Sequence, residues 1–355
     1  APTADRGRLW LARVRERERR WPQAAEQYAA VRPTSEGATE ALDGLARAHD
    51  AALAQLRASG KPTEQAAKNA IAQIERLAGM KEGSATPATD AQRRALLSGA
   101  RILLEYTTGG AAQAERLVSA ALASATDAPA DWKLSAEGVL LCAIAAQGRV
   151  EDAATRIAPL ASADPRAIVS IIDTLDRQAA TAPPELKANL AKVELRLMDL
   201  AQRKSSKTTI PAEIPAPEVK AASAPVALDA ETTRRLSLLR GSAIIAAGQG
   251  AEGVAELKRL AAENPRDGQA QEALARALFD TNDSTALAAW QGIETKSRAG
   301  GERWLRAKYY QTLIVERRGD KSRAAQMVKM LQLRYPTLGG GEQQEKFQQL
   351  LKRCQ

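Results

Sequence analysis

The sequence predicts an all-α chain of stacked antiparallel helical hairpins, and three observations carry that reading. One frame recurs: Gly148, Ala153, Ile157, Leu160 and Asp164-Pro165 return as Gly248, Gly253, Leu257, Leu260 and Asn264-Pro265, then as Gly319, Ala324, Val328, Leu331 and Tyr335-Pro336. In each copy a glycine precedes a small residue by five positions and a proline by seventeen; such self-similarity marks stacked helical units. The 355 residues are 45% hydrophobic but only 3% aromatic, a balance that suits helices packed closely through alanine and leucine. No alternating Val/Ile/Thr/Tyr run of strand length occurs anywhere.

Each position of the frame has a physical task. The glycine ends the first helix because it takes the left-handed conformation that a tight helix-helix turn demands. Ala153, Gly253 or Ala324 lets the two backbones approach closely, while Ile157/Leu160, Leu257/Leu260 and Val328/Leu331 cover one apolar stripe. Proline then stops the second helix and starts the next pair. The pattern resembles the tetratricopeptide repeat, which implies a right-handed α-solenoid with a terminal capping helix. Two further copies follow it partially: Leu11-Ala12, Trp21, Ala24-Ala25, Tyr28 and Val31, with Arg19 in place of the glycine, and Gly109, Ala114, Val118 and Ala121. A sixth, at Asn282, Ala286 and Trp290, is offset by one residue.

In chain order, Asp5 to Arg20 reads as a helix with Leu9, Trp10 and Val14 on a buried stripe and a basic outer face, and Trp21 to Arg32 as its partner. Ser35 to Ser59 is a long alanine-rich helix. Gly60-Lys61-Pro62 is a turn, and Thr63 the cap of a helix to Ala78. Lys81 to Asp90 reads as a loop, followed by helices from about Ala91 to Thr107 and Ala111 to Ser124. Asp131 to Ala146 with Val150 to Ala161 forms a central hairpin, and Arg166 to Ala180 with Pro184 to Arg203 the next.

Lys204 to Leu228, with Pro211, Pro215, Pro217 and Pro225 among polar residues, is expected to be a flexible insert. Three pairs complete the second half: Ala230 to Ala247 with Ala251 to Ala262, Asp267 to Phe279 with Ser284 to Thr295, and Gly301 to Arg318 with Lys321 to Arg334. Gly339-Gly340-Gly341 reads as a hinge and Glu342 to Arg353 as a capping helix. The expected organisation is therefore hairpins over 1–203, the insert over 204–228, hairpins over 229–338, and hinge and cap over 339–355.

The function classes narrow by what the residues supply. His49 is the single histidine, without a nucleophile motif or further imidazoles, which leaves a histidine-based triad and a His-rich zinc site unsupported. No phosphate-cradling glycine loop precedes Lys-Ser/Thr. No cofactor, no metal and no enzymatic activity are expected. No apolar run approaches the roughly 18 to 20 residues that span a bilayer, so a soluble chain is expected, cytoplasmic or envelope-associated. The start, Ala-Pro-Thr-Ala-Asp, fits a processed end or a fragment, and two cysteines, Cys142 and Cys354, do not fix a redox compartment.

Charge concentrates late. From Lys296 to Gln355 fourteen Lys/Arg face five Asp/Glu, which accounts for the whole net charge of +9 and suits an acidic peptide, nucleic acid or an anionic envelope surface. Trp304, Tyr309, Tyr310 and Tyr335 lie within this region, but no nucleic-acid module accompanies them, and nucleic acid is not the expected partner.

In the resembled family the first helix of each pair lines the groove. Counting back from Gly319 places Arg306, Tyr309, Leu313 and Arg317 there, from Gly248 Arg235, Leu238 and Ser242, and from Gly148 Ser135, Gly138 and Cys142. The family's Lys/Asn/Arg clamp for a peptide carboxylate is not reproduced. The expectation is a non-catalytic adaptor that holds a protein or peptide partner, acidic and amphipathic, in this groove. A self-associating envelope component and an accessory domain of an envelope-polymer enzyme stand as alternatives.

Overall fold

The computed structural model describes residues 2–79, 89–206 and 228–354, and the chain divides into two compact units, Ala1–Leu228 and Asp229–Gln355. Every regular element among the described residues is helical, as the composition and the absence of strand-like runs require. Both units are stacks of antiparallel helix pairs: each is an all-α solenoid.

Unit 1 contains α1 (Pro2–Arg17), α2 (Trp21–Ala29), α3 (Ala38–Ala58), α4 (Glu64–Leu77), α5 (Asp90–Tyr106), α6 (Ala111–Ala123), α7 (Ala130–Ala146), α8 (Val150–Ile157), α9 (Pro165–Thr181) and α10 (Pro184–Ser206). Each second helix packs on its own first helix, and α3, α5, α7 and α9 also lie against one another in sequence. Unit 2 contains α11 (Ala230–Ala246), α12 (Gly250–Glu263), α13 (Gly268–Asp280), α14 (Ala286–Thr295), α15 (Glu302–Arg317), α16 (Lys321–Arg334) and α17 (Gly341–Arg353).

The recurring frame is visible in the backbone. Gly109, Gly148, Gly248 and Gly319 take φ of +78°, +77°, +96° and +92°, and Arg19 and Asn282 occupy the same left-handed position at +56° and +55°. Arg19 therefore keeps the turn geometry that its side chain disfavours. Five residues after each of Arg19, Gly109, Gly148 and Gly319, the alanines 24, 114, 153 and 324 are fully buried. At Gly253 the approach is closer still, since a Cβ there would fall 2.6 Å from the Gly241 carbonyl oxygen. After Asn282 the buried small residue, Ala286, comes one position early.

Several local expectations are corrected. Trp10 is 66% exposed, because the buried side of α1 runs through Asp5, Leu9 and Ala12 and residue 10 lies a hundred degrees away. The second helix after Gly148 stops at Ile157 and tightens into a 3-10 turn over Ala158–Ser162, where Pro159 has no N–H to continue the helix. Thr63 does not cap α4 through its side chain; its hydroxyl donates instead to the Tyr106 carbonyl at 3.2 Å. Helix α10 reaches Ser206, three residues past the expected Arg203. Of the expected loop, residues 81–88 lie outside the described residues, while Thr89 caps α5 reciprocally with Gln92. Of the expected insert, 207–227 also lie outside them. Pro165 opens α9, whereas Pro265 and Pro336 fall in the turns after α12 and α16.

Unit 2 closes on aromatic rings. Trp290, 1% exposed, stacks on Tyr310 with centroids 4.3 Å apart and planes 3° from parallel, and Phe279 meets the same tyrosine edge-on at 5.1 Å. Gly339, Gly340 and Gly341 all have positive φ and reverse the chain so that Phe347 and Leu350 of α17 bury completely beside Val328 and Leu338.

Candidate partner-binding surface

Helices α11, α13 and α15 are the first helices of the three pairs in unit 2. They are positioned by caps and cross-helix charge: the carboxylate of Asp267 caps α13 by accepting from the Gln269 and Ala270 amides, and also accepts from Arg234 of α11 at 2.6 Å. The Arg234 guanidinium holds the Asp267 carboxyl below the ordinary carboxylate range.

On α15, Arg306 donates to Glu272 of α13 at 2.6 Å and also pairs with Glu302 one turn before it. Arg317 lies 3.6 Å above the Phe279 ring and donates to the Phe279 carbonyl at 3.0 Å and to Asn282 Oδ1 at 3.1 Å, so the left-handed Asn282 turn also anchors this arginine. Tyr309 is half-buried, edge-on to Phe347 of α17 at 5.4 Å and to Tyr310 at 5.6 Å; burial raises its hydroxyl pKa. Leu313 packs against both apolar clusters of the unit. On α11, Leu238 is half-buried against the cluster around Leu257, and Arg235 is exposed.

The six residues form two groups rather than one pocket. Arg306 and Arg317 lean on α13, Tyr309 lies beside the capping helix, and Leu313 joins the two; Arg235 and Leu238 belong to α11, which packs on α12 and α13. That Glu272, Phe279 and Asn282 fix the two arginines is not readable from the sequence, because only the fold brings α13 against α15. Part of the late positive charge is internally matched. Lys308 pairs with Glu294 at 2.5 Å and Arg353 with Glu316 at 3.4 Å, in addition to the Arg306 pairs.

Unit 1 departs further from the expected groove. Ser135 faces α5, accepting from Arg101 Nη2 at 2.6 Å, but Gly138 and Cys142 are buried rather than groove-lining: a Cβ on Gly138 would meet Ile171 of α9 at 3.4 Å, and Cys142 is 1% exposed. Burial, reinforced by Glu194, pushes the Cys142 thiol up to about 12, which leaves it protonated and unreactive. Glu194 of α10 is itself 4% exposed with no partner on Oε1; burial, then Asp176 and Asp173, raises its carboxyl to about 8.

His49 links α3 to α4, with Nε2 3.1 Å from Gln73 Oε1, and burial lowers its pKa. No group of three or more His, Cys, Asp or Glu among the described residues is placed to hold a metal, and no helix of the described residues is long and apolar enough to cross a membrane. A cleft of about 480 Å³ between α1 and the start of α3 is lined by Leu9, Trp10, Arg13, Arg32, Ser35 and Glu40 among others. Its charges are matched within the wall, Arg32 to Asp5 at 2.8 Å, Arg6 to Glu36 at 3.3 Å, and Arg13 to Glu40.

No protein-family model matches the chain, and no curated protein sequence matches it. Among solved structures the chain is similar to the crystal structure of the P58(IPK) TPR domain, with 12% identity over 99% of this chain and 97% of that one and a TM-score of 0.25. A likeness of that size carries no functional argument; the hairpin fold rests on the turns and packing described above.

Proposed function

We propose that the protein is a non-catalytic interaction scaffold whose unit 2 binds a segment of a partner protein along the first helices α11, α13 and α15. The observation that carries this reading is that Arg235, Leu238, Arg306, Leu313 and Arg317 keep exposed or half-exposed surface on α11 and α15, while the small residues of the second helices are buried in the hairpins. Arg306 and Arg317 are held in place by Glu272, Phe279 and Asn282, so little side-chain freedom is lost when a ligand meets them. Apolar surface at Leu238 and Leu313, with guanidinium groups beside it, suits an amphipathic segment that carries acidic residues.

The test is recovery of partners by the tagged full chain against an R235E/R306E/R317E variant, with circular dichroism to verify that helicity is kept. The reading expects a partner retained by the parent chain and lost by the variant. Equal recovery removes this surface, and light scattering that shows concentration-dependent association lost in the variant would reassign it to self-assembly.

A further inference from the structure

Helices α12 and α16 are equivalent second helices: Gly248 and Gly319 start both with the same left-handed turn, and Leu257 and Val328 are both fully buried at the same step of the frame. Their outward sides differ in chemistry. On α12 that side carries Glu256, Arg259, Ala262 and Glu263, and Arg259 pairs with Glu256 at 2.7 Å and with Glu263 at 2.5 Å. Aligning the two turns puts Met327, Met330, Leu333 and Arg334 of α16 at those four positions. Met330 is 67% and Leu333 80% exposed, and Met327 is half-buried. A closed ion-pair network has been exchanged for an apolar surface.

The charge around that surface is unbalanced. Helix α16 contains Lys321, Arg323, Lys329 and Arg334 and no acidic residue, and none of the four forms an ion pair among the described residues. The neighbouring repeat positions do not explain the patch, because Arg259 and Ala262 of α12 face solvent although that helix stands inside the stack. These positions point away from stacking contacts.

We infer that the outward side of α16 is a docking surface for an amphipathic helix that presents an apolar stripe bordered by Asp and Glu, separate from the row of first helices. Charge complementarity selects this occupant: the partner supplies the anions that Glu256 and Glu263 supply on α12, and its stripe covers Met327, Met330 and Leu333. Methionine side chains, unbranched and polarizable, adapt to such a stripe. A second copy of the chain docked through the same side would set four cations against four, and two exposed side chains fall well short of the about 800 Å² per partner of a stable dimer. A bilayer surface is the weaker match, because α16 carries no Trp or Phe to anchor at the headgroup level.

The test uses fluorescence anisotropy with the full chain and three probes: a labelled synthetic helix with a leucine stripe bordered by glutamates, the same helix with lysines for glutamates, and phosphatidylglycerol vesicles. The acidic helix is expected to bind, the lysine version at least about tenfold more weakly. M330E/L333E, at two exposed positions where helicity by circular dichroism should persist, is expected to weaken binding of the acidic helix by about tenfold or more, and K329E/R334E by a similar factor. R235E/R306E/R317E should leave this probe bound, which separates failure here from failure of the first-helix surface. Absence of binding, binding indifferent to M330E/L333E, vesicle binding in place of helix binding, or loss of self-association in M330E/L333E would each overturn the inference.

Discussion

Unit 1 joins its helices through alanine, leucine and isoleucine and buries Arg93, Cys142 and Glu194 among them, whereas unit 2 gathers three consecutive helices around Trp290, Tyr310 and Phe279. Arg93 in unit 1 donates to the Ser124 carbonyl at 2.9 Å and pairs with Asp90 and Asp127, but its Nε has no partner, and neither has Glu194 Oε1. Among the described residues unit 2 buries no charged side chain; its enclosed polar residues are Gln311 and Thr312. The same hairpin frame thus tolerates two ways of holding neighbours: many small contacts with charged groups enclosed, or a few rings that each touch several helices. The second concentrates stability in single side chains.

The largest expected effect tests that concentration. Trp290→Ala removes a fully buried ring that stacks on Tyr310, and should cost unit 2 about 3–5 kcal/mol, against about 0.5–1.5 kcal/mol for Ile171→Val in unit 1. Hydrogen exchange resolved by segment measures both, since opening of 229–354 can be read apart from 2–206. Equal costs would erase the distinction between the two interiors.

A middle-sized effect concerns the enclosed carboxyl. The folded value of Glu194 near 8 lies above its ordinary 4.5, so the native state binds the extra proton and the stability that Glu194 contributes to unit 1 is fully present below pH 4.5. It falls as pH rises through the window from about 4.5 to about 8. Glu194→Gln should flatten that slope and raise stability at pH 8 by on the order of 1–2 kcal/mol, read from urea midpoints across pH. An unchanged slope would place the carboxyl in water.

The smallest effect compares two turns. Arg19→Gly relieves a left-handed arginine and should gain up to about 1 kcal/mol after the added chain entropy is subtracted. Asn282→Gly should gain nothing, because asparagine tolerates that conformation and its Oδ1 accepts from Arg317. Thermal melts of the two variants decide the order.

The helices and turns were legible because their causes are local. Glycine at 148, 248 and 319 and a small residue five positions on (Ala153, Gly253, Ala324) state where a helix must reverse and where its partner must approach, and no neighbour is needed to read them. At Arg19 the frame marked the same turn, although the residue type argues against its left-handed backbone. The surface was less legible. A count from the turn finds Arg306 and Arg317 but not Glu272 and Phe279, which lie tens of residues away and meet them only when α13 settles beside α15. The same count failed at Gly138, where Ile171 of α9 presses on α7, and at Cys142, which is buried.

The central claim is that the left-handed turn and the small residue five positions later hold each hairpin together. The most direct measurement pairs Ala324→Leu with Ser322→Leu, two additions to the start of α16, one fully buried against α15 and one exposed. Chemical denaturation should show Ala324→Leu destabilising by about 1–3 kcal/mol and Ser322→Leu within about 0.5 kcal/mol of the parent. Equal effects at the two positions would contradict the account, because position 324 would then not be where the two helices meet.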